Sequence, residues 1–331
     1  MAALITTDLH LTEDPSEEYR WGLFKWLRQQ IRERHISDLF ILGDLTDVKD
    51  RHGAVFVNRV VREIVRLRDL AYVHILRGNH DCIDPKHPFF GFLDHLENVE
   101  YYRDPAKITL RFGRNVPVLM LPHSRNPAVD FAAYDFGKHP YVFMHQTVDG
   151  SKAENDAMLS GVPRGLFNAV QRGVYSGDVH VPQNVGKVTY VGSPYHVHFG
   201  DKFVPRVLLL LADGSSDLHF PTISKRHLMV TSWDDMKTWS GTIKAGDHVQ
   251  VTVTLPRHRL DEWPEIKRKI ARRAERREWQ LATVAMVLEK QEPTKGEQQA
   301  ARLSPKQLVK EHARANKLDR FTRDTGLGYV E

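Results

Sequence analysis

Five short segments of this chain carry the residue types that divalent-metal chemistry needs. They are Asp8-Leu9-His10, Gly43-Asp44-Leu45-Thr46-Asp47, Gly78-Asn79-His80-Asp81, Met144-His145 and Gly177-Asp178-Val179-His180. Carboxylate oxygen, amide oxygen and imidazole nitrogen suit Mn²⁺, Mg²⁺, Fe²⁺ or Zn²⁺. The set holds no thiolate, which argues against a structural zinc. The single cysteine, Cys82, has no activating base beside it and reads as a packed residue rather than a nucleophile. Each segment alone is commonplace, because an Asp-x-His or a Gly-Asp after a strand is usually a turn. Their weight comes from their order and from their place at the ends of apolar runs, where active-site loops sit in open α/β sheets.

Those apolar runs define the elements that must hold the segments. Leu4–Thr6 is a short apolar run that stops before Asp8, and Asp38–Leu42 is a continuous one that stops at Gly43. Ala71–Leu76 stops just before Gly78. Between them, residues 16–34 place Trp21, Phe24, Leu27 and Ile31 at helical spacing, and residues 53–69 do the same with Val57, Val60, Val61, Ile64 and Val65. Strands separated by helices imply parallel pairing with both faces covered. Further strands are expected at Val116–Leu121, Tyr141–Met144, Gly173–Ser176, Lys187–Val191 and Arg206–Leu211. The short turns between them suggest a more antiparallel second half.

The pattern changes near residue 225. Val249, Val251, Val253 and Leu255 alternate as in a half-buried strand, residues 260–278 read as a helix, and Leu281–Leu288 as another strand. Residues 291–303 are polar and linker-like. Ser304-Pro305-Lys306-Gln307 then opens a final helix, with a Ser cap, Pro at the first helical position and Gln at the third. Its apolar face (Leu308, His312, Ala315) is thin, so it should lean on another surface. Three units are expected: 1–225, 226–292 and 293–331.

With 331 residues and a hydrophobic fraction of 41%, the chain can build a real core. One cysteine excludes an internal disulfide framework. No apolar run has transmembrane length, and Met1 to Leu11 lacks the basic and apolar regions of a signal peptide. The net charge of +5 permits a polyanionic partner without requiring one. From Arg257 to Glu278 nine Lys/Arg mingle with five Asp/Glu. A solvated helix face is the simpler reading of that run, and a surface for nucleic-acid backbone is the alternative.

The ordered motifs resemble those of the calcineurin-like metallophosphoesterases: D-x-H, G-D-x-x-D, G-N-H-D/E, a lone His after a strand, then G-H-x-H, of which this chain has Gly177-Asp178-Val179-His180. The resemblance covers about residues 1–210. It implies an α/β, four-layer fold: a two-sheet β-sandwich flanked by helices, here followed by a small αβ cap and a C-terminal helical tail. By motif position it implies that Asp8, His10 and His180 hold one metal ion, that Asn79, His145 and Asp178 hold a second, and that Asp44 bridges the two. The physical logic is general. Two cations about 3.5–4 Å apart polarise a phosphoryl oxygen and lower the pKa of a bound water. His80 would then face the scissile phosphate as a catalytic group, with Asp81 orienting its ring. Asp47, His123 and Arg125 are candidate substrate contacts.

Two positions depart from the family pattern. Position 178 holds Asp where the family has His. Either the carboxylate fills the second metal position, or that position is degraded and the activity weak. Asp47 stands where nucleases of the superfamily often have His and phosphatases have Asp; it could equally be a helix cap. The arrangement of a phosphoesterase domain, a small cap, a linker and a short helix resembles SbcD-type DNA exonuclease subunits, including phage versions. So does His180-Val181-Pro182-Gln183. That resemblance implies a Mn²⁺-dependent exo- or endonuclease acting on DNA, an SbcC-type coiled-coil ATPase as partner, and a homodimer. It also implies a cytoplasmic location, that of the host if the chain is phage-encoded, and no membrane. The alternatives are a small-molecule phosphodiesterase or phosphatase, favoured by Asp47, and a catalytically weak DNA-binding subunit, favoured by Asp178.

Most of the 18 histidines should be bland. His35, His74, His87, His95 and His139 have no partners in sequence. His196 and His198 alternate, as expected for a strand with one ring facing outward.

Overall fold

The computed structural model describes residues 2–111, 115–239, 243–289, 304–320, 322 and 325. Two six-stranded mixed sheets pack face to face. The first contains β1 (Ala3–Thr6), β2 (Asp38–Ile41), β3 (Tyr72–Leu76) and β4 (Val99–Tyr102). All pair in parallel in that order. α1 (Gly22–Arg34) and α2 (Ala54–Arg68) return the chain between the first three strands. Their buried stripes, Leu23, Phe24, Leu27 and Ile31 on α1 and Phe56, Val60, Ile64 and Leu67 on α2, cover one face of the sheet.

The second sheet is built from β5 (Ala106–Arg111), β6 (Asn115–Leu121), β7 (Tyr141–His145), β8 (Gly173–Gly177), β9 (Gln183–Val185) and β10 (Val188–Tyr190). Its order is β5-β6-β7-β8-β10-β9. The expected antiparallel half is only partly seen. β6, β7, β8 and β10 pair in parallel, and antiparallel pairing is confined to the two edges. The links from β6 to β7 and β7 to β8 are long excursions with short helical turns rather than hairpins. α3 (Pro127–Asp130) is one such turn. The chain then returns to the first sheet as β11 (Val207–Leu211), antiparallel to β1, with β12 (Gly214–Leu218) at the edge. This is the mixed two-sheet architecture that the motifs imply.

Between the sheets, Ile5, Phe40, Leu42 and Leu76 meet Val118, Met120 and Phe143, all fully buried. A second apolar layer, including Phe131, Phe136, Phe167 and Val170, covers the outer face of the second sheet. β4, β5, β9 and β12 go unnoticed in sequence because they are edge or next-to-edge strands, short or lacking a clean apolar run.

From Lys225 a third sheet begins. β13 (Lys225–Val230), β14 (His248–Leu255) and β15 (Gln280–Leu288) pair in parallel. α4 (Trp233–Trp239) and α5 (Trp263–Arg276) supply the crossovers. The expected strand–helix–strand unit therefore has one more strand and helix at its start, and its own core of Leu228, Val249, Val251, Val253, Ile270 and Trp279. The expected linker lies outside the described residues. α6 (Pro305–Ala315) follows, opened by the expected reciprocal Ser304–Gln307 capping box. Among the described residues no helix is long and apolar enough to cross a membrane.

Phe143 sits at the centre of the intersheet core, edge-on to Phe40 at 4.7 Å and to Tyr175 at 5.7 Å. Phe143→Ala should destabilise the protein by about 3–5 kcal/mol, as large-to-small core changes do. Chemical denaturation checks this, read from the transition midpoint.

Candidate metal centre

All five motif segments lie at the C-terminal ends of β1, β2, β3, β7 and β8. The parallel pairing of β1 with β2 sets their first two loops side by side, and the backbone continues the pairing past the strand ends. Asp8 N–H donates to Gly43 O at 3.1 Å, His10 N–H to Asp44 O at 3.0 Å, and Leu11 N–H to Leu45 O at 3.1 Å. The loops must turn sharply to aim side chains at one point. Asp8 (φ 52°), His10 (φ 40°), Asp44 (φ 52°) and Asp178 (φ 76°) all occupy the left-handed region. Residues with a Cβ enter that region at a cost, and such positions gather at functional sites. Two glycines make room. A Cβ at Gly43 (φ 92°) would lie 2.2 Å from His145 Nδ1, and one at Gly78 would lie 2.1 Å from Asp44 Oδ1.

The histidines share one arrangement. Nδ1 of His10 contacts Asp47 Oδ1 at 3.2 Å, Nδ1 of His145 contacts Leu42 O at 2.6 Å, and Nδ1 of His180 contacts Glu154 Oε1 at 2.9 Å. The oxygens at His10 and His145 accept hydrogen bonds, so those two rings carry a hydrogen on Nδ1 and turn Nε2 inward, while Glu154 meets His180 Nδ1 as an ion-pair contact. Nε2 of His10 and Nε2 of His180 are 3.1 Å apart. Asp44 faces both halves: Oδ2 lies 3.5 Å from His10 Nε2 and Oδ1 lies 3.5 Å from His145 Nε2. The Asn79 amide end sits 3.0 Å from His145 Nε2 and within 3.2–3.3 Å of Asp44 Oδ1, Asp44 Oδ2 and Asp178 Oδ1. Asp178 Oδ1 is 3.7 Å from His145 Nε2.

These groups fit divalent cations. Asp8, His10 and His180 each offer a ligand atom within 4.8 Å of one another, and so do Asp8, Asp44 and His145. Asp8 Oδ1 accepts from Asp178 N–H at 3.2 Å, whereas Oδ2 is buried without a hydrogen-bond partner. A buried carboxylate oxygen left this way is costly unless a cation or proton meets it. Burial raises the pKa of Asp8. Burial also opposes charge on His145, but the carboxylates of Asp44, Asp8 and Asp178 outweigh it and hold that imidazole well above its ordinary value. For His180, burial is outweighed by the bond to Glu154 and by nearby carboxylates, which hold it up at about 9. The cluster thus draws in positive charge, as protons on its histidines or as metal ions in their place.

His80 stands at the mouth of the cluster, partly exposed. Its backbone N–H donates to Asp44 Oδ1 at 2.8 Å, and Nδ1 lies 2.9 Å from Asp47 O. His10, Asp44 and His80 also form a group with ligand atoms within 4.8 Å. The expected role of Asp81 as a partner of the His80 ring is corrected. Its carboxylate instead accepts the backbone N–H groups of Gly78 at 2.6 Å, Leu45 at 2.9 Å and Asp44 at 3.0 Å. Asp81 therefore ties the second and third loops together beneath Asp44. Burial and the neighbouring Asp44 charge push its carboxyl up to about 6 against those hydrogen bonds.

Asp47 is not a simple helix cap: Oδ1 of its exposed carboxylate braces His10. His123 lies beside the cluster, its ring 6.2 Å from that of His145, and burial with the His145 charge pushes it down to about 4. Arg125 is exposed and donates to Ile83 O at 2.9 Å, a backbone contact outside the cluster. Sequence reading missed three braces. Glu154 holds His180, and Thr147 Oγ1 donates to Asp178 Oδ2 at 2.5 Å. Arg20 donates to the His10 carbonyl and pairs with Glu17 at 2.7 Å. Their partners are distant in sequence or on the backbone, so no spacing could reveal them. Of the remaining buried histidines, His74 is satisfied as expected by Tyr102 Oη at 2.8 Å and Asp38 Oδ1 at 3.2 Å. His196 Nε2 meets Phe203 O at 2.9 Å, but Nδ1 of His196 and of His139 has no hydrogen-bond partner among the described residues. Residues 196–198 do not form the expected strand, although His198 does face outward.

Residues 1–164 match the family model described as calcineurin-like phosphoesterase. This stretch is a calcineurin-like phosphoesterase domain. The match contains Asp8, His10, Asp44, Asn79, His80 and His145, while Asp178 and His180 lie past its end and are brought to the same cluster by β8. No curated protein matches the chain. The domain and its Asp/His clusters support a phosphoester hydrolase with metal-binding capacity.

The contact at Gly78 gives a direct test. Gly78→Ala would force a methyl group against Asp44, and the variant should stay folded while binding Mn²⁺ at least about tenfold more weakly, the low end of what misplaced ligand support costs. Calorimetric titration with the metal measures this, with circular dichroism as the folding control.

Proposed function

We propose that the chain is a metal-dependent DNA nuclease subunit that hydrolyses phosphodiesters. The observation that carries the hydrolytic reading is the shared orientation of His10, His145 and His180, each braced at Nδ1 and each presenting Nε2 to a cluster of carboxylates. In this reading Asp8, His10 and His180 hold one divalent cation, Asn79, His145 and Asp178 hold the other, and Asp44 serves both. Mn²⁺ suits this donor set, as do Mg²⁺, Fe²⁺ and Zn²⁺. Two such ions supply Lewis-acid polarisation of the phosphate and a water nucleophile at neutral pH.

The chain's own contribution beyond ligation centres on His80. The Asp47 carbonyl can only accept, so His80 keeps a hydrogen on Nδ1 in both protonation states. Its exchangeable proton therefore sits on Nε2. From the mouth of the cluster the imidazolium can stabilise phosphate charge and pass that proton to the departing deoxyribose oxygen. Asp81 and Asp47 act by position: one fixes the Asp44 turn, the other holds His10 by its side chain and His80 by its carbonyl.

DNA as substrate is favoured by the His180-Val181-Pro182-Gln183 segment and by the third sheet. Lys267, Arg268, Lys269, Arg272 and Arg276 are exposed along α5. Of these, Lys269 is paired with Glu265 at 2.7 Å. Such a row can follow a phosphate backbone. On this reading the 226–292 unit is a cap beside the nuclease domain, and the 293–331 unit docks on an SbcC-type coiled-coil ATPase through α6, where Leu308 is 39% exposed. A homodimer and a cytoplasmic site of action, that of the host for a phage-encoded chain, complete the proposal. A second reading, a small-molecule phosphodiesterase or phosphatase, is favoured by Asp47 in its place against His10.

Nuclease assays with Mn²⁺ on linear duplex and single-stranded DNA separate these readings. Hydrolysis of bis-p-nitrophenyl phosphate with no cleavage of DNA, even with the ATPase present, would favour the small-molecule enzyme. Loss of both activities with Mn²⁺ still bound would favour a non-catalytic DNA-binding subunit.

His80→Ala should lower DNA hydrolysis by about 10²–10⁴-fold, the range of a general acid, while Mn²⁺ content stays near normal. Loss of the metal instead would show that His80 is a ligand. Calorimetry should count two Mn²⁺ per chain. A count of one that rises to two in Asp178→His would mean the Asp leaves the second position weak.

A further inference from the structure

The two outermost candidate ligands, Asp178 and His180, sit on one turn after β8. Both are gripped by the same segment of chain, the excursion over residues 146–172 between β7 and β8. Thr147, two residues past the end of β7, donates its hydroxyl to Asp178 Oδ2 at 2.5 Å. Glu154, further along, places Oε1 2.9 Å from His180 Nδ1. The excursion is itself tied down by bridges from Val148 to Val162 and from Lys152 to Met158. Between the two gripped residues, Val179 is buried in the outer apolar layer. The turn is therefore held at three successive positions.

We propose that this excursion is a clamp that sets the two cation positions separately, with Glu154 as the positioning residue for His180 and Thr147 as the positioning residue for Asp178. The inference rests on the two-cation reading of the cluster. Its logic is directional. The Glu154 carboxylate, 2.9 Å from His180 Nδ1, holds that edge of the ring outward and leaves Nε2 turned toward the Asp8 half, with His10 Nε2 3.1 Å away. A hydroxyl on Oδ2 leaves Asp178 Oδ1 turned toward His145 and Asn79, at 3.7 and 3.3 Å. The first contact concerns one half of the cluster and the second the other. Neither Thr147 nor Glu154 belongs to a motif segment.

Mn²⁺ titration of the full-length chain by calorimetry tests this, with His180→Asn and Asp178→Asn as references that mark which binding step belongs to which half. Glu154→Ala should weaken the His180 step by about 10–100-fold and leave the Asp178 step in place. Glu154→Gln should restore most of the loss, because an amide oxygen can still hold that edge of the ring. Thr147→Val should weaken the Asp178 step, and Thr147→Ser should restore it. The clamp is overturned if the alanine and valine variants leave both steps unchanged, if they weaken the same step, or if the conservative variants fail to rescue. A wild-type chain that binds no Mn²⁺ would overturn the two-cation reading and the clamp with it. Two wild-type steps that ignore these variants would overturn the clamp alone.

Discussion

Three carboxylates, those of Asp8, Asp44 and Asp178, converge on one largely buried point in this protein, beside the Asn79 amide end and the Nε2 atoms of His10, His145 and His180. Placing them there costs free energy twice, through desolvation and through mutual repulsion. The rest of the domain reads as the means of forcing that convergence. Parallel strands deliver five loops to one edge of the sandwich. Four of the converging residues accept left-handed backbone, and Gly43 and Gly78 leave space that a single methyl group would fill. Asp81 binds three backbone N–H groups to lock two loops beneath Asp44. Each imidazole is braced from behind. These features make sense together only if positive charge occupies the centre, which is the argument for cations that does not depend on family membership.

Much of this is legible in the amino-acid sequence. The apolar runs at Leu4–Thr6 and Asp38–Leu42 and the helical spacing of Phe24, Leu27 and Ile31 mark elements because they are buried on defined faces, and burial leaves a periodic trace. The candidate ligands were legible for a related reason: each sits at a strand end or a few residues past it, so its place in sequence is its place in space. What escaped has the opposite character. β12 is exposed along most of its length and leaves no apolar signature. β13 carries Lys225, which burial would ordinarily exclude, but its ammonium is satisfied by Glu17 and the Val197 carbonyl. Sequence cannot anticipate a partner 208 residues away.

Asp81 shows the same limit within the site. The motif places it next to His80, and neighbours in sequence invite a pairing. The turn that exposes His80 at the mouth sends the next side chain inward, under Asp44, where three N–H groups wait. The motif gave the residue's importance and misdirected its role. Glu154 and Thr147 show the complement: residues with no motif at all that complete the support of Asp178 and His180. A motif records which groups face the reaction, while the groups that face the motif are fixed by the path of a loop.

The carboxylate at 178 can be weighed with these contacts in view. Three aspartates against two divalent cations would leave one net positive charge at the centre, where a histidine at 178 would leave two. A phosphodiester carries one negative charge, so the centre stays matched to its proposed substrate but has nothing in reserve for the charge that develops as the leaving oxygen departs. His80 is placed to supply it. It stands at the mouth, is held through Nδ1 by a carbonyl that cannot give up a proton, and is free at Nε2. On the proposed two-cation reading, Asp178 in place of a histidine would shift weight from the metal ligands onto His80. It also makes the hydroxyl of Thr147 more than an ornament of the loop, since a hydrogen bond to Oδ2 draws charge away from the oxygen that faces the centre.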